Sequence, residues 1–149
     1  MLATHDEEFK RLSALCRMHL KAGMLDWYAF DLKSMAALLG REGKHTDKLK
    51  VLMVAFYIDL SGVGMAPFID DALVASLEEA ARQSGLNKHQ IDELYLETVK
   101  ADTTPSHVMT VSDSRYILEL SLSDRKDEAD EILAGMAENR LTSLGKVVE

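Results

Sequence analysis

Cysteine occurs once, at Cys16. A single thiol excludes an internal disulfide framework and any zinc ribbon built on paired CxxC motifs. Only two prolines and eight glycines are spread over 149 residues, and no stretch is low in complexity, so nothing marks a linker or a fibrous repeat. Long apolar runs are missing too. The longest, Val51–Ile58, is eight residues, far below the roughly 20 that a membrane helix needs. The opening Met1-Leu2-Ala3-Thr4 turns acidic at once and has no apolar core of a signal peptide. A single cytoplasmic domain covering 1–149 is the expectation, with no membrane association.

Positive charge is the next scarcity. Lys and Arg number 17 against 25 Asp and Glu, a net charge of −8. The imbalance is uneven: residues 1–50 carry a net +2, and each of the two following stretches, 51–100 and 101–149, carries −5. Nucleic-acid binding draws most of its affinity from phosphate contacts, so whole-chain acidity disfavours it. It keeps the chain soluble, and it also offers a negative face to a basic partner.

What the sequence does have is a helical pattern, repeated. Apolar residues make up 47%, enough for a sizeable core in a chain of this length. Thr4 and Glu7 have capping-box spacing, Phe9, Leu12, Cys16 and Leu20 form one helical stripe, and Gly23 is placed to stop the helix. A second helix fits Asp26–Leu39, with Trp27, Phe30, Met35 and Leu38 among its apolar positions and Gly40 as its stop. The third, about 47–60, is capped by Thr46 or Asp47 and is apolar nearly all round, as expected of a buried central helix. Pro67 suits the first turn of a fourth helix, striped by Ile69, Leu73, Leu77 and Ala80 and ended by Gly85. Asn87 and Gln90 repeat the capping-box spacing before Ile91, Leu94, Tyr95 and Val99. Residues 102–110 read as a loop. Ser112 can cap a helix with Tyr116, Ile117 and Leu120, and Ser123 or Asp124 the last one, with Ala129, Ile132, Leu133, Met136 and Leu141 inward. The expected fold is all-α, a compact bundle of about seven helices with Trp27, Phe30, Leu52, Phe56 and Leu73 in its core.

The motifs of catalysis are mostly missing. Cys16 and His19 are three apart on one helix, but Cys16 lies on the apolar stripe, where a thiol packs as a small hydrophobe. Ser106-His107 follow each other in a loop, and adjacency in sequence is not triad geometry. The five histidines form no HxxxH or HExxH pair. An EF-hand count from Asp59 places Val63 at a ligand position and fails. The segment Gly40–Thr46 has the wrong spacing for a P-loop, since His45 separates Lys44 from Thr46. No catalytic residue, metal site or cofactor is expected. Two local constellations come nearest to a ligand set. His89 has Glu93 four residues on and Asp92 nearby, but it reads as an exposed first-turn residue. Asp59, Asp70 and Asp71 flank the glycine-rich break and would form an ion site if they converged.

Two patterns carry alternative functions. Ala36, Leu39, Gly40 and Leu49 fall at helix-turn-helix-like spacings, with Lys33, Arg41, Lys44, Lys48 and Lys50 around them. From Val51 onward, however, that second helix lacks the polar side chains that read base edges. Residues 55–95, AFYIDLSGVGMAPFIDDALVASLEEAARQSGLNKHQIDELY, resemble a stretch of the TerB-like (tellurite-resistance) helical domains. The shared order is an apolar helix, an Asp-containing turn, an acidic helix, Gly-Leu and a helix with a spaced acid. The resemblance implies an acidic all-helical stress or signalling domain with a metal-binding acidic motif. Here Asp59-Leu60-Ser61-Gly62 replaces that family's adjacent Asp-Gly.

By subtraction, the expected function is a small acidic protein-interaction module, a regulator, inhibitor or immunity-type partner without enzymatic activity. Its candidate surface is the first two turns of the last helix, where Asp124, Asp127, Glu128, Asp130 and Glu131 crowd together. The helix dipole uses only part of that charge. The partner expected there is another protein with a basic surface, and self-association stays open.

Overall fold

The structure is a computed structural model that describes residues 5–61, 67–102 and 109–136. Among the described residues seven helices follow one another: α1 (His5–Lys21), α2 (Leu25–Arg41), α3 (His45–Ser61), α4 (Asp71–Ser84), α5 (Lys88–Asp102), α6 (Val111–Leu122) and α7, described over 126–136. No strand occurs among the described residues. The all-α bundle is as the sequence pattern predicts.

Helix α3 sets the packing. Every residue from Leu52 to Ser61 is buried, as is Leu49, and it packs on α2, α4, α5 and α6. A helix apolar on all sides can satisfy its surface only by being surrounded. Phe56, Met53 and Leu60 form the middle of one continuous core with Leu77, Tyr95, Ile117 and Ala129. Two tyrosine hydroxyls close hydrogen bonds inside it: Tyr57 donates to the Met109 carbonyl at 2.8 Å, and Tyr95 pairs with the Ser114 hydroxyl at 2.8 Å. Burying phenol rings requires such partners, since an unpaired hydroxyl in the core costs about 1–3 kcal/mol.

Several helix ends fall where local chemistry puts them. The Asn87 side chain accepts from the Gln90 amide and the Gln90 side chain accepts from the Asn87 amide, both at 2.9 Å, a closed capping box. Gly85 ends α4 at φ +69°, a left-handed position that glycine takes without strain.

Other ends differ from expectation. Helix α2 runs through Gly40 to Arg41, and the left-handed residue is Gly43. Gly40 instead leaves room for Lys48, whose Nζ would be 3.0 Å from an added Cβ. Helix α3 begins at His45, ahead of the expected caps. Helix α4 starts at Asp71 rather than near Pro67, because the Asp70 side chain accepts from the Ala72 and Leu73 amides and so defines the start. Thr110 rather than Ser112 caps α6, accepting from the Asp113 amide at 3.0 Å. Thr4, Ser106, His107 and Leu141 lie outside the described residues.

The core expectation holds for Leu52, Phe56 and Leu73 and fails for two aromatics. Trp27 is 51% and Phe30 61% exposed. Helix α2 has apolar side chains around most of its circumference, and α1 and α3 cover the sector of Tyr28, Leu32 and Ala36. Trp27 and Phe30 project from the sector left over.

Candidate functional site

The α1–α2 hairpin exposes three of the large hydrophobic side chains of the described residues, Met18, Trp27 and Phe30. Gly23, at φ +75°, turns the chain back so that α1 packs on α2. Positions equidistant from that turn then meet. His19 and Trp27, each four residues from Gly23, stack with ring centroids 5.9 Å apart. Phe30 stands edge-on to Trp27 at 6.3 Å. Leu15, Met18 and Ala22 share the flank of α1 from which His19 reaches Trp27, because 15, 18, 19 and 22 lie on one helical face. Met18 is 55% exposed. Met18, Trp27 and Phe30 therefore offer three large apolar side chains to solvent along one helix–helix seam.

A polar anchor fixes this seam. The His19 ring is hydrogen-bonded through Nδ1 to Asp31, whose carboxylate is buried at the α1–α2 interface. A buried carboxylate requires such a partner. The same bond orients the imidazole for its stack on Trp27. Cys16 lies close by, so a thiol, an imidazole and a carboxylate occupy one region. They do not form a nucleophilic triad. No hydrogen bond joins the thiol to His19 among the described residues, and burial, with Asp31 adding to it, pushes the Cys16 thiol up to about 11. A nucleophilic cysteine needs the opposite environment.

Basic side chains border the patch. From Phe9 to Lys21 the helix has four cations, Lys10, Arg11, Arg17 and Lys21, and no acid. All four are exposed, and none forms an ion pair with a described residue. The stripe 10, 14, 17 and 21 runs beside the apolar flank, and Arg11 continues that flank toward the N-terminus. Elsewhere cations are paired: Arg115 reaches Asp92 across to α5 at 3.3 Å and Glu119 within α6 at 3.2 Å, and Lys126 pairs with Asp71 of α4.

The aspartates around the glycine-rich break separate. Asp59 and Asp70 converge, but on an internal cation: the Lys33 ammonium donates to each at 3.1 Å. Asp71 turns away to Lys126. Burial works against the Lys33 charge, yet the two carboxylates outweigh it and its pKa is raised. Burial raises Asp59 despite Lys33. At Asp70 the Lys33 hydrogen bond and the Leu73 and Ala72 amides overcome burial and lower it. Lys33 thus ties α2, α3 and the start of α4 together, and it stands where an added cation would have to sit. Among the described residues no group of three His, Cys, Asp or Glu side chains is arranged to hold a metal ion.

The basic segment 33–50 does not form one open face. Lys33 is turned inward to Asp59 and Asp70, Lys44 pairs with Glu42 at 3.3 Å, and Lys48 lies along Gly40. The exposed side chains of α3 are Thr46, Asp47 and Lys50, all in its first two turns.

The acidic residues of α7 divide as well. Ala129 and Leu133 are buried, which turns Asp127, Asp130 and Glu131 outward, exposed and outside any ion pair with a described residue. Glu128 pairs with Arg125. Asp124 sits in the preceding turn at φ +61°.

No family model, no curated protein and no solved structure matches the chain. The sequence pattern did not single out the Trp27–Phe30 seam, because both residues read as core. The symmetric spacing of His19 and Trp27 about Gly23 was the available signal. No helix of the described residues is long and apolar enough to cross a membrane.

Proposed function

We propose that the protein is a non-catalytic helical interaction module that docks a partner protein through the α1–α2 seam. The observation that carries this reading is the pair of exposed aromatics, Trp27 and Phe30, in mutual edge contact, with Met18 also exposed on the neighbouring helix. Singly exposed hydrophobes are ordinary, but a contiguous group rimmed by charge marks an interaction surface. Tryptophan in particular contributes much of the binding energy where it is covered. The His19–Asp31 bond holds the tryptophan in place before a partner arrives, which lowers the ordering cost of docking.

The test is affinity capture from the source cell with the wild type and a Trp27→Ser/Phe30→Ser variant. A partner retained by the wild type should be lost from the variant, while thermal unfolding of the two proteins stays similar. Identical capture by both proteins would sink the reading.

A second reading assigns docking of a basic partner to α7, since Asp127, Asp130 and Glu131 face solvent with no ion pair among the described residues. The TerB-like ion-site reading is the weaker one, because Lys33 already neutralises the converging carboxylates.

A further inference from the structure

We propose that the α1–α2 seam takes an acidic amphipathic helix of a partner protein, an inference that rests on the docking reading above and names its occupant. Shape, charge and the remaining field of the molecule point the same way.

The seam between two antiparallel helices is a long, shallow groove. A third helix, about 10–12 Å across, lies along such a groove as helices do in bundles. The apolar stripe of that helix would cover Met18, Trp27 and Phe30, which supply one contact from the α1 wall and two, about a turn apart, from the α2 wall.

Charge then selects the helix. The rim on the α1 side is formed by Lys10, Arg11, Arg17 and Lys21, with no acid from Phe9 to Lys21 and no ion pair to a described residue. Lys33, the nearest lysine on α2, is held by Asp59 and Asp70. Most of the exposed positive charge beside the seam therefore comes from α1, with Arg41 exposed at the far end of α2. Carboxylates flanking the apolar stripe of the incoming helix would meet these cations. The rest of the chain is acidic, −5 over 51–100 and −5 over 101–149. A helix is small enough to meet the cations of α1 without reaching the acidic remainder of the chain. A duplex or an anionic bilayer extends past it and meets that repulsion. A bilayer plane also cannot enter the angle between two helices where Trp27 sits on His19.

Trp27 is the chain's one tryptophan, so its emission reads the seam directly. The probes are two synthetic helical peptides with one leucine stripe, flanked by glutamates in the first and by lysines in the second. Phosphatidylglycerol vesicles and a dilution series of the protein alone complete the set. The glutamate peptide should shift Trp27 emission to the blue with saturation, and the lysine peptide should bind at least about tenfold more weakly. That difference should shrink as salt rises from about 0.1 M to about 1 M and the screening length falls from about 10 Å to about 3 Å. Arg17→Glu/Lys21→Glu should invert the preference without changing the far-ultraviolet circular dichroism. Equal binding of both peptides overturns the acidic-helix inference and leaves docking at the seam standing. A shift with vesicles and neither peptide overturns both in favour of a lipid surface. A shift with protein concentration alone assigns the seam to a second copy of the chain. No shift with any probe overturns the inference, while capture by the Trp27→Ser/Phe30→Ser pair still decides the docking reading separately.

Discussion

Phe56 and Phe30 show how little residue type says about energetic role. Phe56 is 1% exposed at the centre of α3, and Phe30 points to solvent from α2. Phe56→Ala removes buried surface and leaves a cavity, so it should cost about 3–5 kcal/mol. Phe30→Ala should cost no more than about 0.5 kcal/mol. Urea unfolding followed by circular dichroism distinguishes the two, and comparable costs would place Phe30 inside the core after all.

Lys33 gives a second contrast at this scale, with a pH signature. Lys33→Met leaves Asp59 buried among α3 side chains without its cation, at an expected cost of about 2–3 kcal/mol near neutral pH, below that of a fully enclosed pair. Lys33 is what restrains the rise of the Asp59 pKa, so the variant's carboxyl should rise further above its ordinary 3.8. The native variant then binds a proton more tightly than the unfolded chain does, and its stability falls as pH rises through the shifted value. Unfolding measured at acid and neutral pH should show the deficit of Lys33→Met shrinking toward acid. A deficit independent of pH would mean that the side chain acts through packing alone.

At the scale of elements, the α2–α3 connection turns on which glycine does the bending. Gly43 is at φ +74°, so Gly43→Ala forces an L side chain into the left-handed region at about 1–2 kcal/mol. Gly40 is helical. An alanine there gains up to about 1 kcal/mol of helix propensity, and the atoms it would crowd, Lys48 Nζ at 3.0 Å and Cδ at 3.2 Å, belong to one flexible side chain that can shift. Gly40→Ala should therefore be neutral or stabilising and Gly43→Ala destabilising, as melting temperatures would show. Stability losses of equal size would contradict this assignment of the turn. Helix α1 is different in kind: it packs mainly on α2 and keeps its cations in solvent. Its place in the fold rests on the buried His19–Asp31 bond and on Cys16.

Over the whole molecule, charge is segregated. The exposed cations of α1 stand apart from the acids of α4, α5, α6 and α7, several of which are tied into pairs such as Arg115–Asp92 and Lys126–Asp71. Asp127 and Glu131 are outside those pairs, so Asp127→Lys/Glu131→Lys should change unfolding free energy by no more than about 0.5 kcal/mol. If α7 is the docking face of a basic partner, the same variant slows association, and the wild-type rate falls as salt rises. An association rate indifferent to both leaves the α7 acids as a solubilising surface only.

The helical architecture was legible in the sequence because its determinants are local. The Asn87–Gln90 capping box, Gly85 and the all-apolar stretch of α3 act over three or four residues or over one whole helix, and each appears as its spacing suggests. The start of α4 was less legible, since Asp70 serves two ends at once, capping that helix and binding Lys33 thirty-seven residues away in sequence. The candidate site was decided by tertiary structure alone. Helix α2 has more apolar circumference than its neighbours can cover, so periodicity could not say which sector stays wet. That depended on where α1 came to rest, and α1 was placed by His19 finding Asp31 across the hairpin. Trp27 and Phe30 remained outside because burial belongs to the arrangement of neighbouring helices, and a single helix's sequence does not contain that arrangement.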